Sequence, residues 1–248
     1  MTKDLTQDAF LGGKVHLWQP KSGYRAGVDP VLLAATVPAK PGDRILDLGC
    51  GVGAAALCLA ARVPDLALTG VEIKEEYASL ARRNGGRSFD VVTADLENLP
   101  DEVKQRQFDH VLVNPPYYDR GASRAAMDPV REAALGEATP LTTWVKVAAK
   151  RLAPKGYAHF IHRVERLPEI LHTMTGRLGS IEVLPLSPRQ GRAAELIIVR
   201  GRKNGRGAFR LHAPLILHAG QVHEKDADSY VPRVKAALRD GEALEFPT

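Results

Sequence analysis

Asn114-Pro115-Pro116-Tyr117 directly follows the apolar run Val111-Leu112-Val113. The run reads as a buried strand, so the four residues stand at its carboxyl end. An exocyclic amine conjugated to an aromatic base is a poor nucleophile, because its lone pair is delocalised into the ring. If the Asn114 amide oxygen and the Pro115 carbonyl each accept one N–H, the nitrogen can move toward tetrahedral geometry and aim its lone pair at an electrophilic carbon. The prolines add rigidity and leave their carbonyls as acceptors. Tyr117 would stack on the flat base after it has left its own stack, with Tyr118 either extending that wall or simply packing. The chemistry that suits this set is transfer of a methyl group to a planar nitrogen. The plainer alternative is a turn at a strand end, which the prolines alone would explain.

A second stretch supplies what such a reaction needs beside it. Asp47-Leu48-Gly49-Cys50-Gly51-Val52-Gly53 follows the strand-like Arg44-Ile45-Leu46. Glycines between a strand and a helix remove side-chain obstruction and let backbone amides approach a ligand. The Gly49-x-Gly51-x-Gly53 spacing differs from the dinucleotide fingerprint and is weak by itself. Glu72 ends the next strand, 19 residues beyond Gly53. Its carboxylate suits the two hydroxyls of a ribose, the alternative being a helix N-terminal charge beside Glu75 and Glu76. Asp95 follows Val91-Val92-Thr93-Ala94 and suits an adenine amino proton, or else a helix cap or loop turn. Asp47 would orient the glycine-turn amides or meet the cofactor's amino-acid part.

These residues require an alternating frame. The pattern predicts strands at 44–48, 66–72, 89–94, 108–113 and 157–162, with helices at 53–62, 75–84, 139–152 and 165–177. Such alternation implies an α/β fold with a mostly parallel, doubly wound sheet and a crevice at the strands' carboxyl ends. Segments 181–186 and 196–199 read as an antiparallel hairpin at the sheet edge. Lys14-Val15-His16-Leu17-Trp18 suggests a short N-terminal hairpin, and Asp29-Pro30 opens a helix. Tyr230–Leu238 reads as a short helix, and 119–138 as a mobile, partly helical substrate loop. The expected divisions are an N-terminal flank at 1–38, a catalytic domain at 39–210, and a C-terminal extension at 211–248 packed on the same domain.

The strand–Asp-Leu-Gly-Cys-Gly–helix unit, acidic Glu72 and Asp95 together resemble the Rossmann-like class I S-adenosylmethionine-dependent methyltransferases over roughly residues 25–200. Asn114-Pro115-Pro116-Tyr117 resembles motif IV of amino-methyltransferases acting on adenine N6, cytosine N4, guanine N2 or glutamine amide. With Tyr118, and with Asp8–Gly13 and Tyr24–Leu33, the chain looks most like bacterial tRNA adenine-N6 methyltransferases that modify the anticodon loop of a valine tRNA. The resemblance implies S-adenosylmethionine held by Asp47, Gly49, Gly51, Gly53, Glu72, Asp95 and Asn114. Arg25 and Asp29 would close over its methionine end, unless they are a surface arginine and an N-cap. Asn114, Pro115 and Tyr117 would act on the acceptor. A sulfonium is already a good leaving group, so no catalytic histidine is expected, and His110, His159 and His162 read as structural.

Composition narrows the field. With 44% hydrophobic and 25% charged residues, the chain has an ordinary globular make-up and is not disordered. No apolar stretch approaches the roughly 20 residues that span a bilayer, and no signal core follows Met1, so a cytoplasmic location is expected. Two cysteines build neither a disulfide framework nor a four-cysteine zinc site, and no metal is expected. The net charge of +5 permits a polyanionic partner, here tRNA. Arg189, Arg192, Arg200, Arg202, Lys203, Arg206 and Arg210 form either a phosphate-tracking rim or a solvated hairpin edge. Competing functions are a small-molecule or protein methyltransferase, O-methyltransferases included, and a non-catalytic RNA-binding module.

Overall fold

The computed structural model describes residues 4–119, 136–137, 139–220 and 229–247. Strands β1 (Leu5–Phe10) and β2 (Val15–Pro20) form an antiparallel hairpin ahead of α1 (Asp29–Ala35). There follow β3 (Arg44–Leu48), α2 (Ala54–Arg62), β4 (Ala67–Glu72), α3 (Glu75–Gly85), β5 (Phe89–Thr93), a one-turn α4 (Asp101–Lys104) and β6 (Phe108–Val113). Past a two-residue parallel pair, β7 (Tyr118–Asp119) with β8 (Gly136–Glu137), come α5 (Leu141–Arg151), β9 (Leu152–Arg163), α6 (Leu167–Met174), β10 (Gly179–Ser187) and β11 (Leu196–Arg202). The chain ends with β12 (Arg210–Leu211), β13 (Leu215–Ile216) and α7 (Pro232–Lys235), which runs on as a π-helical turn at Ala236–Asp240. The expected substrate loop at 119–138 falls largely outside the described residues.

The central sheet has the order β5-β4-β3-β6-β9-β11-β10-β12, with β13 also pairing to β10. Strands β5, β4, β3, β6 and β9 are mutually parallel. β11 runs antiparallel to both β9 and β10, which gives the expected hairpin, though the short β12 and β13 lie beyond it. The mostly parallel doubly wound fold is therefore present, with the hairpin near the sheet edge.

Alternation along the strands assigns side chains to two layers. Ile45, Leu112 and Ile161 pack with α1, α2 and α3, and with Val234, Leu244 and Phe246 from the C-terminal segment. Leu46, Leu48, Val111, Val113 and Phe160 face α5 and α6 through Trp144, Val145, Ala148, Ile170 and Met174. Burial on both faces explains why these strands read as near-continuous apolar runs. The N-terminal hairpin is fastened to this frame by Asn84 of α3. Its Oδ1 accepts from Trp18 N at 2.8 Å, and its Nδ2 donates to Val52 O at 2.9 Å, so one side chain links hairpin, helix and glycine turn. The Arg83 guanidinium lies 4.0 Å from the Trp18 ring centre. No helix of the described residues is long and apolar enough to cross a membrane.

Candidate active site

β3 and β6 are neighbours, with Leu48 opposite Val113. From β3 the chain goes to β4 and β5 on one side, then returns to β6 on the other, so the loops leaving β3 and β6 diverge. Their divergence opens a crevice where Gly49 and Asn114 stand. A narrow cleft lies there, lined among others by Tyr24, Asp47, Gly49, Cys50 and Asn114. A larger cavity of about 130 Å³ lies instead beneath the C-terminal segment, between Leu184, Leu215 and Leu244, so size alone does not locate the chemistry.

The glycine turn has physical reasons for its composition. Gly49, Gly51 and Gly53 have φ values of 66°, 55° and 90°, a region that side chains other than glycine seldom adopt. A Cβ at Gly49 would also lie 2.5 Å from the Trp144 ring. Gly53 offers no side chain to cap α2, and Asp47 substitutes from the preceding strand, its Oδ2 accepting from Ala56 N at 3.2 Å. Burial raises Asp47 to about 7; the Ala56 hydrogen bond opposes the rise and the Glu72 charge adds to it. Glu72 accepts from Gly51 N at 2.9 Å through Oε2 and from Lys74 N at 2.9 Å through Oε1. Burial also raises Glu72, against those backbone bonds. The acidic end of β4 thus pins the glycine turn.

The Asn-Pro-Pro-Tyr segment meets this turn from the opposite wall. Asn114 is half-buried and lines the cleft, and Pro115 is buried behind it. Tyr117 Oη donates to Asp29 Oδ2 at 2.6 Å, and its ring lies 5.1 Å from that of His162 at the end of β9. Val28, not Asp29, takes the cap position of α1; Asp29 is its first helical residue and holds Tyr117. Burial raises the Asp29 carboxyl, while the Tyr117 hydrogen bond draws it down. Tyr24 is the residue that sequence reasoning passed over. Its ring covers Gly51, and its backbone N–H donates to Tyr77 Oη at 3.0 Å. Only the run Tyr24–Leu33, part of the family resemblance, signalled it.

Arg25 faces the hairpin, donating to Thr6 Oγ1 at 2.8 Å, to Pro20 O at 2.7 Å and to Asp8 Oδ2 at 2.5 Å. Asp95 caps a short 3-10 turn, its Oδ1 accepting from Glu97 N at 2.9 Å. His110 and His159 are buried at the mid-sheet, 3.0 Å apart between ring nitrogens. His162 is buried too, and burial lowers it to about 4, so it is neutral. Both cysteines are buried and free. Among the described residues, no cluster of His, Cys, Asp or Glu could hold a metal ion. The basic segment does not form one rim: Arg200 is held by Glu182 at 2.8 Å, and Arg189 and Arg192 occupy the β10–β11 turn while Arg202 ends β11 at its far side with Lys203 in the turn that follows.

Residues 26–183 match the family described as methyltransferase small domain. A protein of Porphyromonas gingivalis named tRNA1(Val) (adenine(37)-N6)-methyltransferase is 32% identical over 189 residues, covering 70% of this chain and 72% of that one. A protein of the same name from Escherichia coli O157:H7 is 34% identical over 139 residues, 54% of this chain. That match spans only 56% of the E. coli protein's length. A crystal structure described as a predicted O-methyltransferase from Agrobacterium tumefaciens superposes with a TM-score of 0.71 at 26% identity, covering 89% of this chain and all of that one. The glycine turn pinned by Glu72, the Asn114 crevice and these matches agree, and the chain belongs to the methyltransferase small domain family of class I S-adenosylmethionine-dependent methyltransferases.

Proposed function

We propose that this protein transfers a methyl group from S-adenosylmethionine to the exocyclic N6 amine of an adenine in tRNA, in the anticodon loop of a valine tRNA. The observation that carries this reading is that Asn114 lines the same cleft as Asp47 and Gly49. The residues present suit the cofactor: Gly49 lines the cleft with backbone in place of a side chain, and the carboxylates of Asp47 and Glu72 accept from the turn and the helix that follows it. Bound there, S-adenosylmethionine supplies a methyl group on a cationic sulfur. Asp47 would stabilise positive charge, and Glu72 would accept from ribose hydroxyls. The Asn114 oxygen and the Pro115 carbonyl would grip the adenine amine, and Tyr117 would stack on the ring. The N–C bond would form as the S–CH3 bond breaks and a neutral thioether leaves, and the acidified amine proton would then pass to solvent, so no histidine base is required and a neutral, buried His162 is compatible with the reaction.

The names of the P. gingivalis and E. coli proteins support tRNA as the substrate, and so does the net charge of +5. A cytoplasmic location follows from a tRNA substrate. We read residues 39–210 as the catalytic domain, with 1–38 and 211–248 as its flanks. The A. tumefaciens protein's name favours an oxygen acceptor as the second reading. Incubation with labelled S-adenosylmethionine and bulk unmodified tRNA, followed by digestion to nucleosides, separates the two. Label in N6-methyladenosine is expected; its absence from every tRNA would remove the proposal. Asn114→Ala should lower kcat by roughly a hundredfold or more with cofactor affinity retained, as loss of a positioning contact implies. Calorimetry that found cofactor binding lost in parallel would reassign Asn114 to the cofactor.

A further inference from the structure

Residues 196–223 contain five Lys or Arg and no Asp or Glu, so the remainder of the chain is formally neutral. The fold consumes three of those five cations. Arg200 is held by Glu182, Arg202 donates to Lys155 O at 3.1 Å, and Lys203 donates to Ala149 O at 2.7 Å. Arg206 and Arg210 remain, both exposed, and between them Phe209 is 53% exposed, with Leu211 beyond at 64%. The backbone that presents them is fixed. Gly207 N donates to Ser180 Oγ at 2.8 Å, His212 N donates to Val183 O at 2.9 Å, and His212 Nε2 lies 2.8 Å from Glu182 Oε2.

Arginines alone would protect an open sheet edge from strand addition. They do not account for a large aromatic left in water between them. An aromatic ring flanked by cations on a rigid backbone is instead the chemistry that holds unpaired bases and their phosphates. Register gives the patch its place. Val113 pairs with Phe160, Phe160 with Val199, Val199 with Val183 and Val183 with Leu211. Leu211 therefore stands in the cross-sheet row of the residue preceding Asn114, four strand spacings or roughly 19 Å away, and because β12 runs parallel to β6, Arg210, Phe209 and Arg206 lie successively further toward the strands' amino ends. A pocket for one extruded nucleotide cannot reach that far, whereas a folded RNA bound in the pocket can.

We propose that Arg206, Phe209 and Arg210 form a second RNA contact, with Phe209 stacking on an unpaired base and the arginines binding phosphates outside the target nucleotide. The proposal rests on the RNA reading above and extends it to substrate selection. Four full-length proteins test it: the parent, Arg206→Ala with Arg210→Ala, Phe209→Ala, and a control pair Arg87→Ala with Lys150→Ala, both exposed and elsewhere on the fold. Each is titrated with unmodified tRNA at several salt concentrations and assayed for methyl transfer. The arginine pair should reduce the slope of log affinity against log salt by about two. Phe209→Ala should weaken RNA binding roughly five- to a hundredfold. In both, cofactor affinity and kcat at saturating tRNA should match the parent, as should every property of the control pair. Unchanged RNA affinity and salt slope in both variants would overturn the proposal. Self-association of the parent that Phe209→Ala abolishes, with RNA affinity unmoved, would overturn it in favour of a second copy at this edge. A parent that binds tRNA without labelling it would sink the adenine-N6 reading alone, since the binding titrations still judge the patch.

Discussion

Asp47 is a carboxylate held where charge is costly, and the cost fixes a pH dependence. Burial raises it from 3.8 to about 7 in the folded chain. Below the unfolded value both states hold the proton, and the residue's contribution to stability is fully present. Between about pH 4 and about pH 7 the folded chain keeps a proton that the unfolded chain has released, so stability falls as pH rises through that window. The fall attributable to Asp47 is on the order of 4 kcal/mol. Asp47→Asn keeps an oxygen for Ala56 N and removes the charge. Denaturant midpoints measured from pH 5 to pH 8 should therefore decline in the parent and decline less in the variant. Glu72, also raised by burial, leaves a residual slope. Parallel pH profiles would mean that Asp47 does not carry this cost. A protein that retains such a residue beside Gly49 gains most when a cation sits in the cleft.

At the level of elements, the bond from Tyr117 to Asp29 joins the loop after β6 to the first turn of α1, across 88 residues of sequence. Burial, with the Asp29 charge adding, pushes the phenol up, so Tyr117 is the neutral donor. Tyr117→Phe keeps the ring and leaves the half-buried Asp29 carboxylate without that partner, which should cost roughly 1–3 kcal/mol of stability. Its KM for tRNA should rise less than that of Tyr117→Ala, because the stacking surface survives. Equal KM values in the two variants would show that the ring itself does not hold the base. Contacts of this kind mark the limit of what the sequence discloses. The strands β3, β4, β5 and β6 are legible because burial on both faces writes them as apolar runs, and the glycine turn because its positive φ values admit little else. β1 escapes because Thr6, Gln7 and Asp8 interrupt its pattern and only pairing with β2 makes it a strand. β12 and β13, two residues each, carry no periodicity at all. Asp29 reads as a cap because Asp before Pro-Val-Leu-Leu has that local meaning, and Tyr117 is too distant in sequence to revise it. The meeting of Trp144 with Gly49 is hidden for the same reason.

On the scale of the whole molecule, the C-terminal segment braces the cofactor cleft from behind. Leu244 N donates to Ala35 O at 2.8 Å at the end of α1, the helix whose first turn carries Asp29. Leu244 is 1% exposed, and Phe246 is buried with the Arg200 guanidinium 4.1 Å from its ring centre. Arg200 is in turn held by Glu182, which also holds His212, so β10, β11 and the tail share one half-buried polar knot. Hydrogen bonding from Arg200 and His212 outweighs burial and keeps the Glu182 carboxyl below its ordinary value. Tail, sheet and α1 thus bury their apolar side chains in a single core layer. If that layer is one cooperative unit, Leu244→Ala should lower the whole unfolding transition by about 2–5 kcal/mol, the usual cost of removing a fully buried leucine. Circular dichroism and tryptophan fluorescence should report it at the same denaturant concentration, because Trp18 on the N-terminal hairpin and Trp144 beside Gly49 would lose their surroundings together. A separate extension would behave otherwise: the main transition would stay in place, and only a minor, earlier loss of helical signal would appear.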